Sequence, residues 1–343
     1  MGAREYKMAK DKVKFRVLSY REEERLNDEE KTAYYNELRK YCKNRRLTNT
    51  TFAATKIGPI LKKPTEAIAR AVCKVLAGGE VKIVVDGTEN IPDGAVIFAS
   101  THQGVMDGFV WIPYCPKHAL IFHGKEVNKL LLMAQVNTGL ILASKNLNNT
   151  EQRRNAKLDL ISVLLKGHSV YICPEGLWNL SPNLLHLPIT WGFLDAAQKS
   201  GSPVVPMCIE YTYDTSGEKE RIPFVHLRYG EPIIVKEDDN LAEKLEEYTE
   251  KISTMRWELI EEKGIFSRDE ITNWDYINYM KGNYKNLDMG KIDIEADTKG
   301  IHGANSEKYL FQHINIVPWD AWGNLLQTNE VERLKQINRV HGI

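Results

Sequence analysis

The alternation of short apolar runs with helical segments, between about residues 81 and 235, limits the possible folds of this 343-residue chain more than any other feature. Two segments with helical spacing, EQRRNAKLDLISVLLKG and ITWGFLDAAQKSG, lie among the runs, and each ends in glycine. Strands that alternate with helices predict an α/β fold with a mostly parallel central sheet flanked by helices. The strand candidates are VKIVVDG, AVIFAS, HALIFHG, TGLILAS, SVYICPEG, SPVVPMCIEYTY and VHLRYGEPIIV.

Three regions are predicted along the chain. Residues 1–79 form an N-terminal helical segment, 80–236 the α/β core, and 237–343 a C-terminal extension that is partly helical and partly irregular. The charged stretch 21–46 and the acidic stretch 240–264 each predict one helix, and the sequence around Trp319 and Trp322 predicts a last one.

A short helix is predicted between Pro64 and the pair Gly78-Gly79, because proline favours the first helical turn and glycine ends helices. Its apolar residues fall on one face. We expect this face to pack on the core, and docking into a membrane interface is the alternative. The face consists of Ile68, Ala71, Val72, Val75 and Leu76.

Charge is balanced over the whole chain but not along it. The formal net charge is +0, so no global field attracts nucleic acid, and we expect no nucleic-acid partner. Residues 41–86 hold nine Lys or Arg against three acidic residues, whereas residues 237–263 hold ten acidic residues against four basic ones. The basic segment could meet an anionic membrane surface, an acidic carrier protein or a phosphate, or it is simply a solvated surface.

The cysteines and the apolar windows indicate the compartment. Five cysteines without a CxxC pair suggest a reducing compartment and no structural zinc. The first residues lack an apolar signal region, and no window approaches the length of about 18 apolar residues that a bilayer crossing requires. We therefore expect a cytoplasmic protein, with at most peripheral contact at the inner face of the membrane.

The stretch ASTHQGVMDG places His102 and Asp107 five positions apart, directly after an apolar run. This spacing does not align two side chains on one helix, but the two can meet across a strand-to-helix turn. Asp107 would then bind one ring nitrogen, fix the tautomer and leave the other nitrogen free as a base. Taken alone the pattern is weak, and an ordinary loop histidine is the alternative.

Two further motifs follow strands. SVYICPEG ends in Pro174-Glu175-Gly176, where Glu175 either accepts a hydrogen bond from a substrate hydroxyl or caps backbone amides in a turn. The run SPVVPMCIE is a buried strand whose Pro206 predicts a bulge or an edge position, or else a kink in a core strand.

Together and in this order, the motifs resemble the blocks of the glycerolipid acyltransferase family, of the lysophosphatidate (1-acylglycerol-3-phosphate) type. The blocks are THQGVMD, GKEVNK with TGLILASK, ICPEGLWN and VVPM, and the resemblance covers about residues 80–235. It implies an acyltransferase that moves a fatty acyl group from acyl-CoA or acyl-carrier protein to a lysophospholipid-like acceptor hydroxyl. The acyl thioester would be a co-substrate, with no cofactor bound permanently and no metal.

The resemblance also implies roles for individual residues. His102 would be the general base, and Asp107 would orient it and stabilise its charged form. The acceptor would attack the thioester directly, and backbone N–H groups near the helix start would bind the oxyanion. The strand Val204-Val205-Pro206 would support the catalytic loop. The implied substrate-binding residues are Lys125, Lys145, Glu175, Gly176, Leu177 and Trp178.

Three positions depart from the family pattern. Thr101 replaces the asparagine before the histidine and can keep a side-chain hydrogen bond. Trp178 and, in a looser alignment, Lys145 replace arginines, and an indole cannot make bidentate phosphate contacts. We therefore expect an acceptor that is apolar or carries a ring. Two alternatives stay open at this point: an N-acyltransferase acting on an amine or peptide, and a non-catalytic lipid-binding protein.

Overall fold

The computed structural model describes residues 15–50, 55–104, 106–124, 139–143, 150–176, 185–186, 189–214 and 221–263. Within these ranges the chain forms a seven-stranded sheet in the order β1-β7-β6-β2-β5-β3-β4. All neighbouring strands are parallel except β6 and β7. The strands are β1 Lys82–Asp86, β2 Ile97–Ser100, β3 Ala119–Gly124, β4 Leu140–Ala143, β5 Ser169–Ile172, β6 Val204–Asp214 and β7 Arg221–Tyr229. The predicted α/β fold with a mostly parallel sheet is confirmed.

Helices flank the sheet on both sides. Their bounds are α1 Tyr20–Glu23, α2 Asp28–Asn44, α3 Lys62–Leu76, α4 Asp107–Trp111, α5 Thr150–Leu165, α6 Gly192–Ser200 and α7 Leu241–Glu262, with short 3₁₀ helices at Thr88–Asn90 and Ile112–Tyr114. None of these helices combines the length and the apolar composition needed to cross a membrane.

The charged stretch 21–46, predicted as one helix, is two helices. Asn27 separates them because it caps α2: its side-chain oxygen accepts a hydrogen bond from the Glu30 amide at 2.9 Å. In return, the Glu30 carboxylate accepts one from the Asn27 amide at 3.1 Å. This reciprocal capping box satisfies two amides that a helix start leaves unpaired, so the chain begins a new helix here.

Two apolar clusters cover the two faces of the sheet, as the side-chain alternation of strands requires. Ile97 and Ala99 of β2 face a cluster that α2, α5, α6 and α7 complete. Phe98, between them, faces the opposite cluster, to which Cys73 of α3 and Trp111 of α4 contribute. The first cluster also contains residues from before position 80 and after position 236, so all three predicted regions contribute to it. The division of the chain into these three regions stays a prediction.

The prediction that the apolar face of α3 packs on the core is wrong for its most apolar residues. Ile68 and Val75 are 56% and 79% exposed, respectively. The buried side is instead formed by the small residues Thr65, Ala69 and Cys73, which follow each other at helical spacing of four. Small side chains let α3 lie close to its neighbours, and the larger apolar residues therefore point away from the protein.

Pro206 occupies neither a bulge nor an edge, because β6 lies between β2 and β7 and Pro206 pairs with Ala99 in regular register. The sheet tolerates it because β7 ends at Tyr229, level with Met207. Beyond that point the Gly230 amide still donates to the Pro206 carbonyl at 2.8 Å. The amide that proline lacks would face this side, where the β7 ladder has already ended.

A buried ionic cluster ties α1 to α6. The Lys199 ammonium group contacts Glu23 at 2.7 Å and Asp195 at 2.7 Å, and all three side chains are almost fully buried. Burial lowers the pKa of Lys199, but the two carboxylates raise it by more, so the lysine stays charged. Because a buried charge is stable only when paired, this cluster fixes the N-terminal segment on the core.

Candidate active site

The strand order places two loops side by side at one edge of the sheet. β2 lies between β5 and β6, with Ala99 level with Ile172 and Ser100 level with Met207. The loops that follow β2 and β5 therefore leave the sheet side by side, while β6 continues for several residues beyond them. This is the carboxyl edge of parallel strands, where active sites of open α/β sheets lie.

His102 and Asp107 meet across the turn between β2 and α4. The Nδ1 atom of His102 lies 2.8 Å from the Oδ2 atom of Asp107. The aspartate side chain is 1% exposed, whereas the imidazole is 25% exposed. A buried carboxylate therefore holds the Nδ1 atom and fixes the orientation of the imidazole.

Asp107 is held by three further donors. Its Oδ2 atom accepts hydrogen bonds from the amides of Gln103 at 2.7 Å and Gly104 at 3.1 Å. The Tyr211 hydroxyl, which β6 carries past the sheet edge, donates to Oδ1. These donors satisfy the hydrogen-bonding capacity of the buried carboxylate and fix its position. They also mean that the predicted oxyanion site cannot rest on the amides of Gln103 and Gly104, because both already bind Asp107.

Glu175 joins the loop after β5 to the loop after β2. A turn closed by the Gly176 amide and the Cys173 carbonyl, 3.0 Å apart, turns the Glu175 side chain inward. There its Oε1 atom accepts a hydrogen bond from the His102 amide at 2.8 Å. Gly176 has φ +77°, a conformation that favours glycine. Glu175 thus caps a backbone amide, which is one of the two contacts predicted for it. Binding of the acceptor by Glu175 and Gly176 stays a prediction.

Thr101 keeps the side-chain hydrogen bond expected of it. Its hydroxyl oxygen accepts a hydrogen bond from the Ile209 amide at 3.4 Å, and its own amide donates to the Met207 carbonyl at 3.1 Å. Both contacts fasten the residue before His102 to β6.

A buried polar network behind the loop was missed by the sequence reasoning. The Gln103 side chain donates to Glu210 of β6 at 3.1 Å, and Glu210 is held in turn by Arg256 at 3.3 Å and Lys263 at 2.9 Å. Glu210 and Arg256 are fully buried. The one sequence signal was an acidic residue inside the apolar run VVPMCIEY, because such a residue needs a buried partner.

Four predicted site residues lie outside the described residues: Lys125, Lys145, Leu177 and Trp178. Their proposed contacts with phosphate, donor or acceptor therefore stay predictions.

The electrostatic environment determines the proton affinity of the dyad. Burial lowers the pKa of the His102 imidazole, but the neighbouring Cys173 sulfur and the Asp107 carboxylate raise it by more. The pKa therefore lies well above its usual value. Such an imidazole is a stronger base than a solvated one, and it holds the proton it has taken.

Replacing Asp107 with asparagine should lower the pKa of His102 by about one unit or more, since a neighbouring opposite charge shifts a pKa by roughly 1–3 units. Histidine side-chain NMR during a pH titration measures this. D86N is the matched control, because it removes a different histidine-contacting carboxylate: Asp86 lies on the edge strand β1, 2.9 Å from His226 of β7. It should leave the His102 titration unchanged. A His102 pKa that is equal in D107N and wild type would contradict the assigned contact.

The Acyltransferase family model matches residues 82–210, from the start of β1 to Glu210, and so includes both His102 and Asp107. Curated proteins give no match. Among solved structures, the chain is similar to the crystal structure of the 1-acyl-sn-glycerophosphate (LPA) acyltransferase from Thermotoga maritima, with 21% identity, a TM-score of 0.42, and coverage of 58% of this chain and 79% of that chain. Residues 82–210, which carry the dyad, are therefore similar to the acyltransferase family.

Proposed function

We propose that the protein transfers a fatty acyl group from an acyl thioester to an acceptor hydroxyl, with His102 as the general base and Asp107 as its orienting partner. The donor would be acyl-CoA or acyl-carrier protein. The observation that carries the proposal is the 2.8 Å contact between a half-buried imidazole and a buried carboxylate at the carboxyl edge of the sheet. The family match favours transfer over non-catalytic lipid binding.

In the proposed reaction, the Nε2 atom of His102 accepts the proton of the acceptor hydroxyl as its oxygen attacks the thioester carbonyl. Asp107 stabilises the imidazolium that forms, and the imidazolium then protonates the departing thiolate. The position of the base depends on two contacts of the loop. Glu175 accepts a hydrogen bond from the His102 amide, and the side chain of the next residue, Gln103, donates one to Glu210.

The resemblance points to a lysophospholipid-like acceptor, and one departure from the family pattern bears on how that acceptor is recognised. A tryptophan at position 178, where the family has arginine, removes a bidentate phosphate contact. We therefore propose an acceptor whose recognition depends more on apolar surface than on a phosphate. An amine acceptor would need the same base, so the product must be identified chemically.

His102→Ala should reduce acyl transfer by about 10²–10⁴-fold, the range for loss of a positioned base. The assay supplies palmitoyl-CoA with pooled lysophospholipids, long-chain alcohols and amines, and identifies ester or amide products by mass spectrometry. His226→Ala is the matched control, because His226 also contacts an aspartate but lies on β7. An H102A protein with wild-type turnover would contradict the assignment of His102 as the base. An amide product would show that the acceptor is an amine and not a hydroxyl.

We further propose that the exposed side of α3 and the turn before it contact an anionic lipid surface. Most large apolar side chains that are exposed in the described part of the chain lie in this segment: Ile57, Ile60, Ile68, Val75 and Leu76. Lys63 and Lys74 are also exposed there. Apolar residues that enter the headgroup region, together with lysines that attract anionic lipids, are the requirements of interfacial binding.

The proposed lipid contact lies next to the dyad. α3 packs against α4, the helix that begins with Asp107, and against the 3₁₀ helix that follows it. The Arg70 guanidinium lies 4.4 Å from the centre of the Tyr114 ring and donates to the Pro113 carbonyl at 3.1 Å. A bilayer that is bound by α3 would therefore present its lipids close to His102. The proposal includes the expectation that the protein binds peripherally at the inner face of the membrane.

Changing both Ile60 and Val75 to aspartate should weaken binding to vesicles containing phosphatidylglycerol by about tenfold or more, since burying one such side chain contributes roughly 1.5–3 kcal/mol. Co-sedimentation with vesicles measures this. Ile234→Asp is the matched control, because Ile234 is 55% exposed but lies elsewhere on the protein. Equal losses in the two proteins would argue against a specific contact through α3.

A further inference from the structure

Tyr211 lies on the part of β6 that extends beyond the end of β2. Met207 pairs with Ser100, the last residue of β2. Tyr211 lies four positions further along β6, where it pairs with Val225 of β7. The alternation of a strand puts Met207 and Tyr211 on the same face, toward the apolar cluster to which α4 contributes. Tyr211 therefore faces the helix that begins with Asp107.

The two oxygens of the Asp107 carboxylate have different partners. Oδ2 receives the contacts of its own loop, from the His102 Nδ1 atom at 2.8 Å and from the amides of Gln103 at 2.7 Å and Gly104 at 3.1 Å. Oδ1 receives the Tyr211 hydroxyl at 2.5 Å, the one donor to this oxygen within the described part of the chain. Because Asp107 is buried, Tyr211 takes the place that water would have at an open carboxylate.

The position of the Tyr211 hydroxyl is fixed by the strand that carries it. The main chain of Tyr211 is paired with β7, and the Lys263 ammonium group donates to its carbonyl. The ring is 2% exposed, so it is enclosed by the core around it. The hydroxyl and the carboxylate of Asp107 are therefore held together by the sheet and not by the loop alone.

The charge of Asp107 acts on the base through the Nδ1 atom of His102. A carboxylate favours the imidazolium, and it does so more strongly when its own charge has few other donors. A donor on Oδ1 stabilises the carboxylate most while the imidazole is neutral, because the carboxylate then has no partner cation. The hydroxyl of Tyr211 should therefore favour the neutral imidazole, which is the form that can take a proton.

We propose that Tyr211 is a positioning residue of the dyad, which shares the charge of Asp107 and so keeps His102 in the neutral form that acts as a base. This inference rests on the proposed function. It adds to the site a residue that follows the family match, which ends at Glu210. Tyr211 acts through Asp107 and needs no contact with the donor or the acceptor.

Other titratable and charged groups also surround the dyad and its supports. They belong to β5, the turn after it, β6 and α7, and they are Tyr171, Cys173, Glu175, Glu210, Arg256 and Lys263. All of them are present in the wild type and in a variant that lacks only the Tyr211 hydroxyl. A difference in the titration of His102 between these two proteins therefore reports the hydroxyl.

Tyr211→Phe removes the hydroxyl and keeps the ring. In the full-length protein, histidine side-chain NMR should show the midpoint of the His102 titration rising by about half a unit to one unit, opposite in direction to D107N. In the palmitoyl-CoA assay with the pooled acceptors, the acid limb of kcat should move to higher pH by a similar amount. At neutral pH kcat should then fall by up to about tenfold, while KM for palmitoyl-CoA stays within about twofold of wild type.

Tyr229→Phe is the matched control, because Tyr229 is also buried but its hydroxyl donates to the Tyr114 carbonyl at 3.3 Å. It should leave the His102 titration and kcat unchanged. Circular dichroism checks the folded state of each variant. Where Y211F does not fold, 3-fluorotyrosine at position 211 keeps the hydroxyl, makes it a stronger donor and should lower the midpoint. A His102 midpoint that stays in place or falls in folded Y211F, or that fails to fall with 3-fluorotyrosine, overturns the proposal.

The titration separates this inference from the proposed function, because it needs no substrate. A wild-type protein that acylates none of the pooled acceptors overturns the proposed function, and the titration still decides whether Tyr211 acts on His102. An active wild type with the same acid limb in Y211F overturns only the role of Tyr211.

Discussion

The buried carboxylate of Asp107 is the constraint on which the site depends. A charge with 1% exposure is tolerated only when hydrogen-bond donors surround it, and here they come from His102, from the amides of Gln103 and Gly104, and from Tyr211. Each of these donors has a position fixed by another part of the fold. The loop conformation, the extension of β6 beyond the sheet edge and the orientation of the imidazole are therefore consequences of satisfying one charge.

Support for this loop comes from the two strands that flank β2 and from α7. β5 contributes the turn that directs Glu175 to the His102 amide. β6 contributes Glu210, which holds the Gln103 side chain and is itself held by Arg256 of α7. Removing one partner from such a network leaves another charge buried and unpaired, which commonly costs about 3–5 kcal/mol. The geometry of the base therefore depends on contacts far from it in sequence.

The sequence was sufficient for the architecture and for the central pair of residues. Apolar runs of strand length predicted the seven strands, because a sheet buried on both faces needs continuous apolar sequence. The His102–Asp107 pair could be found because it lies within one local motif. Asn27 and Glu30 also form a capping-box pattern in the sequence, and this pattern marks the start of the second helix, which helical periodicity alone does not.

Other features depend on partners that a sequence does not reveal. The periodicity of α3 shows that it is amphipathic, but not that small residues such as Ala69 face inward while Ile68 faces out. Pro206 fits a central strand because β7 ends where it does. The pairing of Glu210 with Arg256 joins two distant positions, and the contact of Glu175 with the His102 amide follows from the order of the strands.

In the proposed mechanism, His102, whose pKa is raised by Cys173 and Asp107 together, removes a proton in the rate-determining step. The most direct measurement is the dependence of kcat/KM on pH for wild type and for D107N. A base must be neutral to act, so activity should fall as the pH drops through the raised pKa of His102, with a midpoint above about 6.5 in the wild type. In D107N the acid limb should move to lower pH while the plateau falls. An acid limb that stays in place when Asp107 is changed would contradict the account.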